Sequence, residues 1–240
     1  MANVIKGVQP LQKQLSKAKR DVLVSVLLVA MALAFMIFQL IKTGNMVYLI
    51  CLIPLSFFLY DLRSKQRTVK TIQAGIAGEE KAVAQLTKLL DDRYTIINCV
   101  NVYNGEQKSQ IDNIVVGPTG VFVIEVKSIN GHITGSAEDR IWRVTRTANG
   151  KSVTRESYSP IKQVQTHVKR TQTYLSSEGF DVAVEGLVYY VDERTTLKID
   201  NEPKNTLFTV AMNPWLQKYL TAGQEVLTAD QMQKIIESLT

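Results

Sequence analysis

A run of twenty residues without a single charge, 22–41, constrains this chain more than any other feature. At about 1.5 Å per residue, a helix of that length spans about 30 Å, the hydrocarbon thickness of a bilayer. A short polar break at 42–45 follows, and then fifteen more uncharged residues, 46–60. The second run would make about 22 Å of helix. It contains Pro54, which a membrane helix tolerates where neighbours satisfy the freed carbonyl. It reads either as a second span or as a buried or interfacial helix. Five basic residues and no acidic one precede Asp21, and Arg63, Lys65, Arg67 and Lys70 follow the second run. The positive-inside rule then places both flanks in the cytoplasm, whereas a single span would strand one basic flank outside. Ala30, Ala32 and Ala34 resemble a signal-peptide cleavage site, but they lie within the apolar run, which is longer than an ordinary signal core. The expectation is an uncleaved transmembrane hairpin: a multi-pass protein of the cell membrane, touching the bilayer through 22–60, with both termini cytoplasmic.

Charge follows the same division. The 240-residue chain has a net charge of +6. Residues 1–70 hold ten Lys/Arg against Asp21 and Asp61, a net of +8, which leaves −2 for the remaining 170. The basic balance therefore belongs to the flanks of the apolar runs and says little about what the rest binds. With 45% hydrophobic and 21% charged residues, the chain is neither disordered nor a disulfide-stapled miniprotein. Cys51 and Cys99 sit in apolar contexts, and two histidines with two cysteines do not make a usual structural zinc site.

The sequence predicts three parts: a basic segment and anchor at 1–60, a linker at 61–74, and an α/β domain at 75–240. Helical spacing runs over 74–90, with Val83, Leu86 and Leu90 on one stripe. Glu79 falls on that stripe. Either it is buried at a cost of several kcal/mol, or it sits wet in a first helical turn, favoured by the helix dipole. Strands are expected at 94–102, 110–116, 121–127, 141–147, 152–157, 184–191 and 207–212. Ser159 and Pro160 open a helix to about 177, and Thr228 with Gln231 forms a capping box for a last helix to 239.

The chemistry concentrates on one hairpin. Gly117, Pro118, Thr119 and Gly120 make a turn, so residues whose numbers sum to 237 oppose each other, and Asp112 faces Glu125. Both strands are apolar on both faces, as central covered strands are. Two carboxylates meeting there repel, and a divalent cation relieves them. Lys127, two residues beyond Glu125, shares its face. A metal on Asp112 and Glu125 with Lys127 beside it is a recipe for phosphodiester hydrolysis. A structural Glu–Lys arrangement is the plainer reading.

Gly75 to Glu79, then Gln110, Ile111 and Asp112, then the turn and Val121 to Lys127, then Asn130 and Gly131, together resemble the nuclease-related domain (NERD) family of the restriction-endonuclease-like PD-(D/E)xK superfamily, over about 72–190. Trp142, and Ser159, Pro160 and Gln163, also resemble elements of that family. The resemblance implies a restriction-endonuclease-like core made of a helix, three antiparallel strands, a helix and a further strand. It implies metal ligation by Asp112 and Glu125, catalysis by Lys127, and support from Glu79 and Gln163. Mg²⁺ or Mn²⁺ would be the cofactor and nucleic acid, DNA first, the partner. Ile111 stands where the superfamily's proline gives it its name, while the aspartate remains.

His167 lies four residues after Gln163 and can reach the same site, although an isolated histidine is more often packing, as is His132. Arg140, Arg143, Arg146, Lys151 and Arg155 around the second hairpin either contact a nucleic-acid backbone or make a solvated ribbon. Tyr189, Tyr190 and Cys99 read as core. The expected function is a membrane-tethered nuclease; the alternatives are a catalytically weak binding module for nucleic acid or protein, or an anchor or adaptor whose acidic pair is a relic.

Overall fold

The 22–41 run lies inside one long helix. A computed structural model describes every residue except 8, 45–51 and 106. Helix α1 (Pro10–Thr43) opens on a proline, whose missing N–H is one of the unpaired donors of a first turn, and stops at Gly44 in the left-handed conformation. Among the described residues it is the one helix long and apolar enough to cross a membrane. Most of the first half of the second apolar run, 46–51, lies outside the described residues; its remainder begins α2 (Leu52–Leu89). The stretch 61–74, expected as a linker, is helical throughout as part of α2. It contains neither proline nor glycine, so nothing in it halts a helix already propagating.

The chain forms two compact units, Gln9–Ile76 and a second made of Met1–Val8 with Ala77–Thr240. In the first, Ser25 on α1 is buried against α2, where its Oγ accepts from Lys65 Nζ at 2.8 Å, and Lys65 pairs with Asp61 at 2.7 Å. Elsewhere this unit turns large apolar side chains outward, among them Leu27, Phe35, Phe38 and Phe57.

The second unit is mixed α/β. Its main sheet runs β1 (Asn3–Lys6), β2 (Thr95–Asn104), β3 (Gln107–Gly117), β4 (Gly120–Lys127), β8 (Val184–Tyr190), β10 (Leu207–Thr209). Strands β2, β3 and β4 are antiparallel, and β8 lies parallel to β4. Thus the expected order of helix, three antiparallel strands, helix and further strand is present. A smaller sheet joins β5 (Gly131–Ser136), β6 (Ile141–Ala148), β7 (Lys151–Tyr158) and β9 (Thr195–Asp200). Helix α3 (Pro160–Ser177) has Ser159 as its N-cap, accepting from the Lys162 amide. Short helix α4 (Asn213–Thr221) and α5 (Ala229–Leu239) complete the unit, and the expected capping box of Thr228 and Gln231 is in place.

Strand β4 is apolar on both faces because both are covered. Val121 and Val123 pack with Ile161, Val164 and Leu175 of α3. Phe122, Ile124 and Val126 pack with Ala82, Leu86 and Leu90 of α2 and its end, and with Leu216 and Leu220 of α4. This double cover fixes the strand that carries Glu125 and Lys127.

Strand β1, which the sequence had grouped with the anchor, instead pairs parallel to β2. Gly7 ends it, its amide donating to the Asn98 carbonyl at 2.8 Å. A Cβ there would lie 2.5 Å from the Cys99 oxygen, so the approach admits only glycine.

Candidate active site

Three carboxylates and a lysine converge where the main sheet loses its regularity. The β3–β4 register sums to 237 as expected, from Gly117↔Gly120 to Asn113↔Ile124. The ladder ends there, one residue before the expected Asp112–Glu125 pair. On the other side of β3 the ladder skips Asp112 as well, because its neighbour Cys99 has φ of 56°. The backbone of Asp112 is held by Asn98 Nδ2, which donates to its carbonyl at 3.2 Å. Its side chain replaces the missing ladder bond: Oδ2 accepts from the Val126 N–H at 2.8 Å. Asp112 and Glu125 are thus electrostatic neighbours across a frayed ladder, not a regular cross-strand pair.

Glu125 is 2% exposed. Its Oε1 accepts from Lys127 Nζ at 2.6 Å, and the same ammonium donates to Gln163 Oε1 at 3.0 Å. Strand β4 and helix α3 together aim this lysine. Gly78 precedes Glu79 where α2 passes β4's end; a Cβ there would meet Ser128 at 2.4 Å. Glu79 lies in the body of α2, buried, which settles the question its helical stripe raised. The thiol of Cys99 donates to its Oε2 at 3.5 Å.

Electrostatics mark the cluster as strained. Burial, and then the charge of Asp112, raise Glu79 to about 7. Burial, and then Glu125, raise Asp112 to about 7. Glu125 is also raised by burial, against the pull of Lys127. Burial pushes the Cys99 thiol up to about 12, so it is a neutral donor and no nucleophile.

His167 is placed at the site: it is buried, with Nε2 3.5 Å from Glu125 Oε2. Burial, and then Arg170, lower it to about 4, so the ring is neutral. Neither ring nitrogen has a hydrogen-bond partner among the described residues. Tyr190, read from sequence as core, is in register with Lys127 on β8. Its buried hydroxyl also lacks a partner among the described residues, and burial and then the Glu125 charge raise its pKa. Only the parallel pairing of β4 with β8 brings it there, and no local pattern signals that pairing.

Other expected residues lie elsewhere. Trp142 is buried in the second sheet, its Nε1 donating to the Ser136 carbonyl at 2.7 Å. His132 is exposed, bonded to Thr196 at 2.9 Å. Tyr189 donates to Asn213. Arg143, Arg146, Lys151 and Arg155 lie on the β6–β7 ribbon.

Carboxylate oxygens that repel one another, beside orphaned buried polar atoms, suit a hard divalent cation. Among the described residues no three His, Cys, Asp or Glu side chains are grouped closely enough to ligate one ion. Two carboxylates with waters and a phosphate oxygen suffice for Mg²⁺, so Asp112 and Glu125 fit the part.

The central hairpin of this mixed α/β unit thus carries two acids and a lysine. Residues 74–191 match the sequence model of the nuclease-related domain family, so this segment is a NERD domain. The chain is also 30% identical over 110 residues to an uncharacterized protein of Bacillus anthracis, across 44% of this chain and 52% of that one. It thus spans about half the length of the curated relative it matches. No solved structure matches it.

Proposed function

We propose that this protein is a membrane-anchored nuclease, dependent on Mg²⁺ or Mn²⁺, that hydrolyses phosphodiesters of nucleic acid, DNA first, at the cytoplasmic face, on a restriction-endonuclease-like core. The observation that carries this reading is the convergence of Asp112, Glu125 and Lys127 in a buried site within a nuclease-related domain. A cation on Asp112 and Glu125 would neutralise phosphate charge and acidify a bound water. Lys127, held between Glu125 and Gln163, is aimed to hydrogen-bond the attacking water or a phosphate oxygen as charge develops. Glu79, which shares the site with Asp112, can take up a proton near neutral pH.

Membrane anchoring draws support from the outward apolar side chains of α1, which would be an aggregation liability in water and are matched in lipid. The multi-pass topology draws support from β1. The strand before the apolar runs and the strand after them share one sheet, so a chain that crosses the bilayer must cross back.

One observation favours a binding module instead: Lys127 already neutralises Glu125 and occupies one of its oxygens. Cleavage of DNA by the full chain decides between them. With Mg²⁺ or Mn²⁺ present the wild type should cut and Asp112→Asn should not, and EDTA should stop the reaction. Metal-independent binding without cleavage would favour the module.

A further inference from the structure

The outer face of α3 carries a concave surface that the site chemistry does not use. A cavity of about 600 Å³ is lined by Arg140, Lys162, Lys169 and Arg170, with the half-exposed ring of Tyr158 and, among the described residues, no carboxylate in its lining. The neighbouring cavity, about 720 Å³, is different: Arg140, Arg143 and Lys198 are interleaved there with Asp139, Glu156 and Asp200. The described lining of the first is therefore cationic, in a stretch of chain whose net charge is slightly negative.

Its position links it to the site. At 100° per residue, Gln163, His167 and Arg170 lie along one side of α3, and Thr166, Thr173, Lys162 and Lys169 follow round the helix in that order. Arg170 forms the border: it hydrogen-bonds Ser109 of β3 on one side, and its charge acts on His167 on the other. Gln163 and Arg170 are two turns apart, about 10 Å along the axis, which is about three nucleotides of rise in one DNA strand.

We propose that this groove seats the phosphate backbone of the nucleic acid on one side of the scissile phosphate, an inference that rests on the nuclease reading. Lys162 and Lys169, again two turns apart, neutralise phosphates about three nucleotides apart, Arg140 closes the far wall, and Tyr158 offers a face on which a base can stack. A nucleic acid is favoured over an anionic membrane surface because Arg170, which lines the groove, also acts on His167, the neighbour of Glu125.

The test uses the full chain in detergent, with a fluorescein-labelled DNA duplex and its single strand, in EDTA and in Ca²⁺. The dissociation constant is measured from about 50 to about 200 mM salt. Lys162→Gln/Lys169→Gln should lower the slope of log K against log salt by about 2 and weaken binding roughly tenfold or more near 0.1 M. Arg143→Gln/Lys198→Gln, in the mixed-charge cavity, should leave the slope unchanged. Equal melting temperatures will show that the variants fold. An unchanged slope in the α3 variant overturns the groove even if the protein cuts DNA. A lost slope with no cleavage under any divalent ion keeps the groove and removes the nuclease. Wild type that binds no nucleic acid overturns both. Loss of binding to phosphatidylserine vesicles with DNA binding intact overturns the groove in favour of a lipid surface.

Discussion

Lys127 separates catalysis from stability only if pH is controlled. It neutralises Glu125, which is 2% exposed. Lys127→Met therefore strands a buried charge and should cost up to roughly 3 kcal/mol at pH 8. Burial raises the Glu125 pKa, so the loss should shrink as the pH falls and the carboxylate takes up a proton, which urea unfolding at pH 8 and at pH 5 will measure. An equal loss at both would show that the lysine packs and does not neutralise. The metal-free wild type gives a second check. Glu79 and Asp112, raised to about 7, favour the folded state when protonated. Their contribution is complete below the ordinary carboxylate range and lost as pH rises through about 7. His167, lowered to about 4, acts in the opposite sense, its contribution lost on acidification. Two carboxylates, with Glu125 also raised, outweigh one imidazole, so the EDTA-treated protein should melt higher near pH 5.5 than near pH 8. Saturating Mg²⁺ should shrink or invert that difference; a flat profile in EDTA would mean the carboxylates do not repel. That Asp112, Glu125 and Lys127 lie together on one hairpin, and Glu79 on a packed stripe, was legible because turn register and helix phase are local; Gln163 was named only through the family resemblance. The orphaned hydroxyl of Tyr190 was not, because it depends on which strand lies beside β4.

Among the elements, β1 has the clearest consequence. Its four residues are too few to show a period, and they sit among lysines beside an apolar helix, so the sequence reads as a cytoplasmic flank. In the fold they cover the β2 edge, which otherwise presents unpaired N–H and C=O groups. A fragment beginning at residue 71 would lack this strand. It should aggregate or melt well below the full chain, and Gly7→Val should reproduce part of that loss through its clash with the Cys99 carbonyl. If such a fragment matches the stability of the full chain's folded unit by thermal melting and light scattering, β1 is dispensable. The helix α3 and both hairpins were readable from caps and turn residues. Strands β5 and β9 and helix α4 were not, since they are short or polar and are held by pairing with distant partners.

For the whole molecule, the proposal joins a membrane hairpin to a nuclease-related domain whose first and later strands share a sheet. Cysteines placed near Lys6 and near Thr240, in a chain whose native cysteines are removed, should both resist a membrane-impermeant maleimide in sealed cells and react after lysis. Labelling of either from outside would contradict the paired topology. The central claim is that Asp112 and Glu125 share a cation while Lys127 acts on the reacting phosphate. It is tested most directly by the single-turnover rate of DNA cleavage at saturating Mg²⁺, wild type against Lys127→Met, at a pH where both are folded. The account predicts cleavage by the wild type and a fall of about 10² or more in the variant, with DNA and Mg²⁺ binding retained. Cleavage by Lys127→Met at the wild-type rate would contradict it.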